Sequence, residues 1–72
     1  MSNVHTSEYR RFLARLKEAR VQARLTQVEV AQRLKKPQSF VSKFEAGERR
    51  LDFIEVRRLA KLYKKPLSFF HS

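Results

Sequence analysis

A chain of 72 residues, 42% apolar and 11% aromatic, can fill one hydrophobic core and leaves too little interior for a second domain. Its 17 Lys and Arg against 7 Asp and Glu give a formal net charge of +10, which points to an anionic partner and, on composition alone, keeps DNA, RNA and acidic membrane surfaces open. The absence of cysteine excludes disulfides and thiolate metal sites, and with His5 and His71 at opposite ends no metal or cofactor is expected.

No apolar run reaches the roughly 18 residues of a membrane span, and the polar start Met1 to Ser7 lacks the apolar core of a secretory signal, so a cytoplasmic protein is expected. Only Gly47, Pro37 and Pro66 punctuate the sequence, which favours helices over the frequent turns of a strand-rich fold. Residues 1–7 are polar and aperiodic and read as a flexible arm ending in a Ser or Thr able to cap a helix, with one domain over residues 8–72. From Glu8 to about Gln22, Phe12, Leu16, Ala19 and Ala23 recur at helical spacing, and Tyr9 and Leu13 widen the stripe.

Thr26 with Glu29 forms a capping-box pattern that opens a second helix running to about Leu34. Pro37 disfavours helical geometry at Lys36, so Lys35-Lys36-Pro37 reads as a tight turn before a third helix. That helix turns Val41, Phe44 and Glu45 to one face and Gln38, Ser39, Ser42 and Lys43 largely to the others, and Gly47 stops it. Asp52 caps a fourth helix with Val56, Leu59, Ala60 and Tyr63 inward and Arg57, Arg58, Lys61 and Lys64 outward. Pro66 opens a final short segment, Leu67 to Phe70, and neither an internal repeat nor a low-complexity tract is read.

Two short helices a few residues apart, Thr26 to Leu34 and Gln38 to Ala46, meet the requirement of a helix-turn-helix, although periodicity alone equally fits two ordinary bundle helices. The run Thr26-Gln27-Val28-Glu29-Val30-Ala31-Gln32-Arg33-Leu34, then Gln38, then Val41-Ser42-Lys43-Phe44-Glu45-Ala46-Gly47-Glu48-Arg49 resembles the Cro and phage-repressor (XRE-type) helix-turn-helix family. The likeness extends over about Tyr9 to Phe70. It implies an all-α, compact five-helix bundle and a sequence-specific, double-stranded DNA-binding transcription regulator, a repressor, that places the helix Gln38 to Ala46 in the major groove.

By the same resemblance Gln27 approaches a phosphate and Gln38 reads a base edge, chemistry that suits an amide able to bond adenine N6 and N7 together. The two glutamines can also brace each other. Ser39, Ser42 and Lys43 take the remaining outward positions that contact bases or backbone, with guanine and phosphate both open to Lys43. Arg49 and Arg50 stand where the family often contacts phosphate, and solubilising loop charges are the plain alternative. Phe40 reads mainly as partly buried core. Arg20 and Glu45 correspond to a structural ion pair of the family that locks the recognition helix to helix 1. Lys35 stands where the family often has glycine, and Pro37 where it often has a Ser or Thr cap.

Catalytic machinery is missing from the sequence: no histidine accompanies a nucleophile and no glycine-rich phosphate loop exists, so an enzyme is not expected. A protein-bridging module or a DNA-binding antitoxin is the alternative, and the short stretch after the bundle weighs against toxin neutralisation. RNA binding lacks the aromatic platform of common RNA modules. A homodimer is expected, because one short recognition helix reads few base pairs and Leu67, Phe69 and Phe70 offer more apolar surface than a small core needs; part of this cluster forms the contact, with closure of the monomer core the alternative for Phe70 and Phe69 the better probe. With no ligand domain, no small-molecule effector is expected.

Overall fold

In the computed structural model, which describes residues 6–71, the chain forms helices joined by short turns, with no strand among the described residues. Four α-helices, α1 (Ser7–Gln22), α2 (Gln27–Leu34), α3 (Gln38–Glu45) and α4 (Phe53–Tyr63), lead into a 3-10 helix, Leu67–His71. The fifth element of the expected bundle is thus a 3-10 helix rather than an α-helix.

Side chains that satisfy free amides set the helix starts. The Thr6 hydroxyl accepts from the Tyr9 amide at 3.1 Å, so α1 begins at Ser7, inside the stretch read as an arm; the rest of that stretch, residues 1–5, lies outside the described residues. Helices α2 and α4 each open on a reciprocal capping box, Thr26 with Glu29 and Asp52 with Glu55. Helix α3 starts behind Pro37 with no side-chain cap, its proline fixing the entry angle instead.

All four α-helices end alike, on a left-handed residue: Arg24 (φ 61°), Lys35 (φ 58°), Gly47 (φ 80°) and Lys64 (φ 58°). The residue after each donates five back, as from Lys36 to the Ala31 carbonyl at 3.0 Å and from Lys65 to Ala60 at 2.9 Å. A left-handed residue with a Cβ costs about 1 to 2 kcal/mol. The satisfied carbonyls offset that cost, and so does a cation at the negative helix end.

Lys35 and Lys64 correct the reading of a chain without repeats. Ala31-Gln32-Arg33-Leu34-Lys35-Lys36-Pro37-Gln38-Ser39-Phe40 and Ala60-Lys61-Leu62-Tyr63-Lys64-Lys65-Pro66-Leu67-Ser68-Phe69 share their Ala, Lys-Lys-Pro and Ser-Phe positions. The backbone agrees, with ψ 46° at both left-handed lysines and a 3.0 Å bond from each phenylalanine amide to its proline carbonyl.

The core gathers Leu13, Leu16 and Ala19 of α1, Val30 and Ala31 of α2, Val41 and Phe44 of α3, Leu59, Ala60 and Tyr63 of α4, and Phe70. Val56, read as inward, is half-buried. Helices α2 and α3 are the most extensively packed pair, and Ala31 is a small residue on the buried face of α2. No helix among the described residues is long and apolar enough to cross a membrane.

Candidate nucleic-acid interface

Helices α2 and α3, joined by Lys35-Lys36-Pro37, form the helix-turn-helix, and α1 holds it in place. The Arg20 guanidinium meets Glu45 in a two-pronged contact, Nε to Oε2 at 2.7 Å and Nη2 to Oε1 at 3.1 Å. Its Nη1 donates to the Leu25 carbonyl at 3.0 Å, so one side chain ties α1, the α1–α2 turn and the end of α3 together. Only 11% of the Arg20 side chain and 6% of that of Glu45 are exposed, so water competes little for the pair. The hydrogen bond to Glu45 raises the Arg20 pKa against the opposing effect of burial.

The same carboxylate reaches α2. Gln27 Nε2 donates to Glu45 Oε1 at 3.0 Å, and Gln38 Nε2 donates in turn to Gln27 Oε1 at 3.3 Å. A line of polar contacts therefore runs from Arg20 through Glu45 and Gln27 to Gln38, ending at the first residue of α3. Gln38, Ser39 and Lys43 are exposed on this helix; Ser42 is half-buried, its hydroxyl donating to the Ser39 carbonyl at 3.3 Å. Opposite them Val41 and Phe44 are fully buried, so the polar face is fixed by the burial of the other.

A helix-turn-helix family model matches residues 16–70 of the chain. The protein belongs to the helix-turn-helix family of the Cro and phage-repressor (XRE) type. That is a family of DNA-binding regulators. No curated protein and no solved structure matches the chain.

In this helix-turn-helix protein the cations beside α3 are organised by an aromatic ring. Phe40, half-buried and edge-on to Phe44 with centroids 5.5 Å apart, carries the Arg49 guanidinium 4.6 Å and the Lys36 ammonium 5.5 Å from its centroid. Arg49 is also bound two-pronged to Glu55, at 3.1 and 3.0 Å, and gives a bond to the Arg50 carbonyl at 2.9 Å. The Arg49 hydrogen bond holds the Glu55 carboxyl below its ordinary value. Arg50 stacks over Tyr9 at 4.8 Å, so it faces α1 rather than Phe40.

The three residues read as a dimer contact separate. Phe70 is 5% exposed and closes the monomer core, which removes it from any outward contact. Phe69 is half-buried under Arg15, whose guanidinium lies 3.7 Å from the ring centroid and whose Nε donates to the Phe69 carbonyl at 2.8 Å. Leu67 is 41% exposed, and Phe53 at 64% and Ile54 at 52% were missed as exposed apolar residues because they follow the Asp52 cap like ordinary first-turn residues. Leu67, Phe53 and Val56 line an open groove of about 690 Å³ between α1, α4 and the 3-10 helix. Sequence reasoning also missed Glu55, whose signal was present: Asp52 and Glu55 have the same spacing as Thr26 and Glu29.

Proposed function

We infer that the protein is a homodimeric repressor of transcription that inserts α3 in the major groove of a specific DNA site. The observation that carries this reading is the polar line ending at Gln38, which holds an exposed amide at the entering end of a helix otherwise anchored in the core. Gln38 reads a base edge, and Ser39, Ser42 and Lys43 contact neighbouring bases or phosphates. Gln27, its side-chain oxygen already engaged by Gln38, approaches a phosphate from the N-terminus of α2. Lys36 and Arg49, gathered on Phe40 beside α3, add cationic phosphate contacts, Arg50 adds another from its place over Tyr9, and the net charge of +10 supports this use. Two copies associate through Leu67, with the exposed Phe53 alongside it, since a single short helix distinguishes too few base pairs.

Selection of preferred duplexes from a random pool tests the reading. The expected product is a palindrome whose half-sites lie about 34 to 36 Å apart, one turn of the duplex. Unselected recovery of all sequences overturns specific recognition, and one protomer per selected duplex in sedimentation overturns the dimer.

A further inference from the structure

The line of contacts from Arg20 to Gln38 has a direction, and a buried residue sets it. Held by Arg20, the Glu45 carboxylate offers its partners lone pairs only. Gln27 must therefore meet it with an N–H, as it does at 3.0 Å, and this turns Gln27 Oε1 toward α3. An amide oxygen is likewise an acceptor, so Gln38 meets it with Nε2 at 3.3 Å. One hydrogen of the Gln38 amide is then in use. One N–H and the carbonyl oxygen remain.

One donor beside one acceptor matches adenine, which presents N7 as acceptor and N6 as donor in the major groove. Guanine presents two acceptors, N7 and O6, and needs two donors. We propose that Glu45 is a positioning residue that gives Gln38 its preference for adenine over guanine, by fixing the direction of the Gln27–Gln38 hydrogen bond. This rests on the reading of Gln38 as the base-contacting residue. Glu45 itself cannot meet a base, because its side chain is 6% exposed and occupied by Arg20 and Gln27.

Replacing the carboxylate in Glu45→Gln reverses the whole line. The new amide oxygen keeps the shorter Arg20 contact, at the Oε2 position, and the NH2 takes the Oε1 position that Arg20 Nη2 and Gln27 share, at the cost of the Nη2 bond; Gln27 then turns its oxygen inward and its NH2 toward Gln38, which accepts with one lone pair of its oxygen and keeps two donors. Two donors suit guanine, and the second lone pair of the Gln38 oxygen still suits adenine, so the discrimination between the two is lost.

The experiment measures binding to the selected duplex and to its counterpart with A·T replaced by G·C at the Gln38 position, for variants shown to be folded by thermal melts. Wild type is expected to favour adenine by about tenfold or more. Glu45→Gln is expected to bring that preference within about threefold, and so is Gln27→Met, which cuts the line and leaves Glu45 in place. Arg20→Lys weakens the fold but keeps a cation on the carboxylate, so its adenine preference is expected to match wild type. Unchanged preference in folded Glu45→Gln, or in Gln27→Met should Glu45→Gln not fold, overturns the proposal. Loss of preference in Arg20→Lys equal to that in Glu45→Gln does so as well, because instability alone would then explain it. Gln38→Ala separates the two levels: unchanged preference there defeats the base-contact reading itself, whereas loss there with retention in Glu45→Gln and Gln27→Met defeats the role of Glu45 alone.

Discussion

Residues 31–40 and 60–69 run through the same turn twice and come out with different products. Each leaves a helix through a left-handed lysine, passes a second lysine and a proline, and starts a new helical segment with Ser-Phe in its first turn. Each phenylalanine then carries the second lysine of its own turn and an arginine from elsewhere: Lys36 and Arg49 on Phe40, Lys65 and Arg15 on Phe69. Even the arginines are held alike, Arg49 by Glu55 at 3.0 Å and Arg15 by Glu18 at 2.9 Å. From the proline onward the two copies differ in the residue that follows it and in the residues beyond the phenylalanine; before the turn they differ at the three positions after the alanine. Gln38 heads an α-helix that Val41 and Phe44 anchor in the core, whereas Leu67 heads a 3-10 helix of five residues anchored by Phe70. The turn is a general device for starting a segment. Its use is decided by one side chain, an amide in the first copy and an exposed leucine in the second.

The largest expected contrast lies in how the two products are held. Glu45→Ala strands the Arg20 guanidinium in a largely buried position and is expected to cost about 3 kcal/mol. Arg15→Ala loses a stacked cation and one hydrogen bond at the second product and is expected to cost about 1 to 2 kcal/mol. Urea unfolding at unchanged m-value measures both, and equal losses would break the ranking of the two anchors.

A smaller effect tests whether the turns are as alike in energy as in shape. Lys35→Gly and Lys64→Gly each relieve about 1 kcal/mol of left-handed strain. Each also loses about 0.5 kcal/mol from a cation at a helix C-terminus. Both variants are therefore expected to gain about 0.5 kcal/mol in the same melts, and opposite signs would show that the shared geometry hides different strain.

The smallest effect concerns the arginine clamp on Phe40. Since Arg49 lowers the Glu55 pKa from 4.5, the stabilisation is present above about pH 4.5 and is lost as pH falls through the lower folded value. Glu55→Gln is expected to be less stable than wild type by no more than about 1 kcal/mol at neutral pH, given the exposure of Arg49. The two stability curves are expected to converge in acid; a constant gap down to pH 2 would exclude titration of Glu55 as the cause.

Much of the fold was legible because it is written in local spacing. The Thr26–Glu29 capping box, the Asp52 cap and the helical stripes through Leu16, Val30, Phe44 and Leu59 each need only three or four residues of context. Periodicity could not tell which of Phe69 and Phe70 turns inward, since five residues of 3-10 helix give too short a pattern. Of the candidate site, the positions of Gln27, Gln38, Arg20 and Glu45 came through family resemblance, not spacing. The bond from Gln27 to Glu45 depends on the angle between α2 and α3, and the stacking of Arg49 on Phe40 on a turn of the chain between them. Neither has a signature in one sequence. The repeat was readable in principle, but its likeness lies in a turn, where attention to hydrophobic period finds nothing.

The central claim is that the first copy of the turn delivers a base-reading amide. The most direct measurement is the affinity of wild type and Gln38→Ala for the selected duplex and for random duplex across a salt series. Gln38→Ala is expected to lose about 1 to 3 kcal/mol on the selected duplex. On random duplex its affinity and salt slope are expected to match wild type, because a neutral amide releases no counterions. Equal affinity of the two proteins for the selected duplex would contradict the claim.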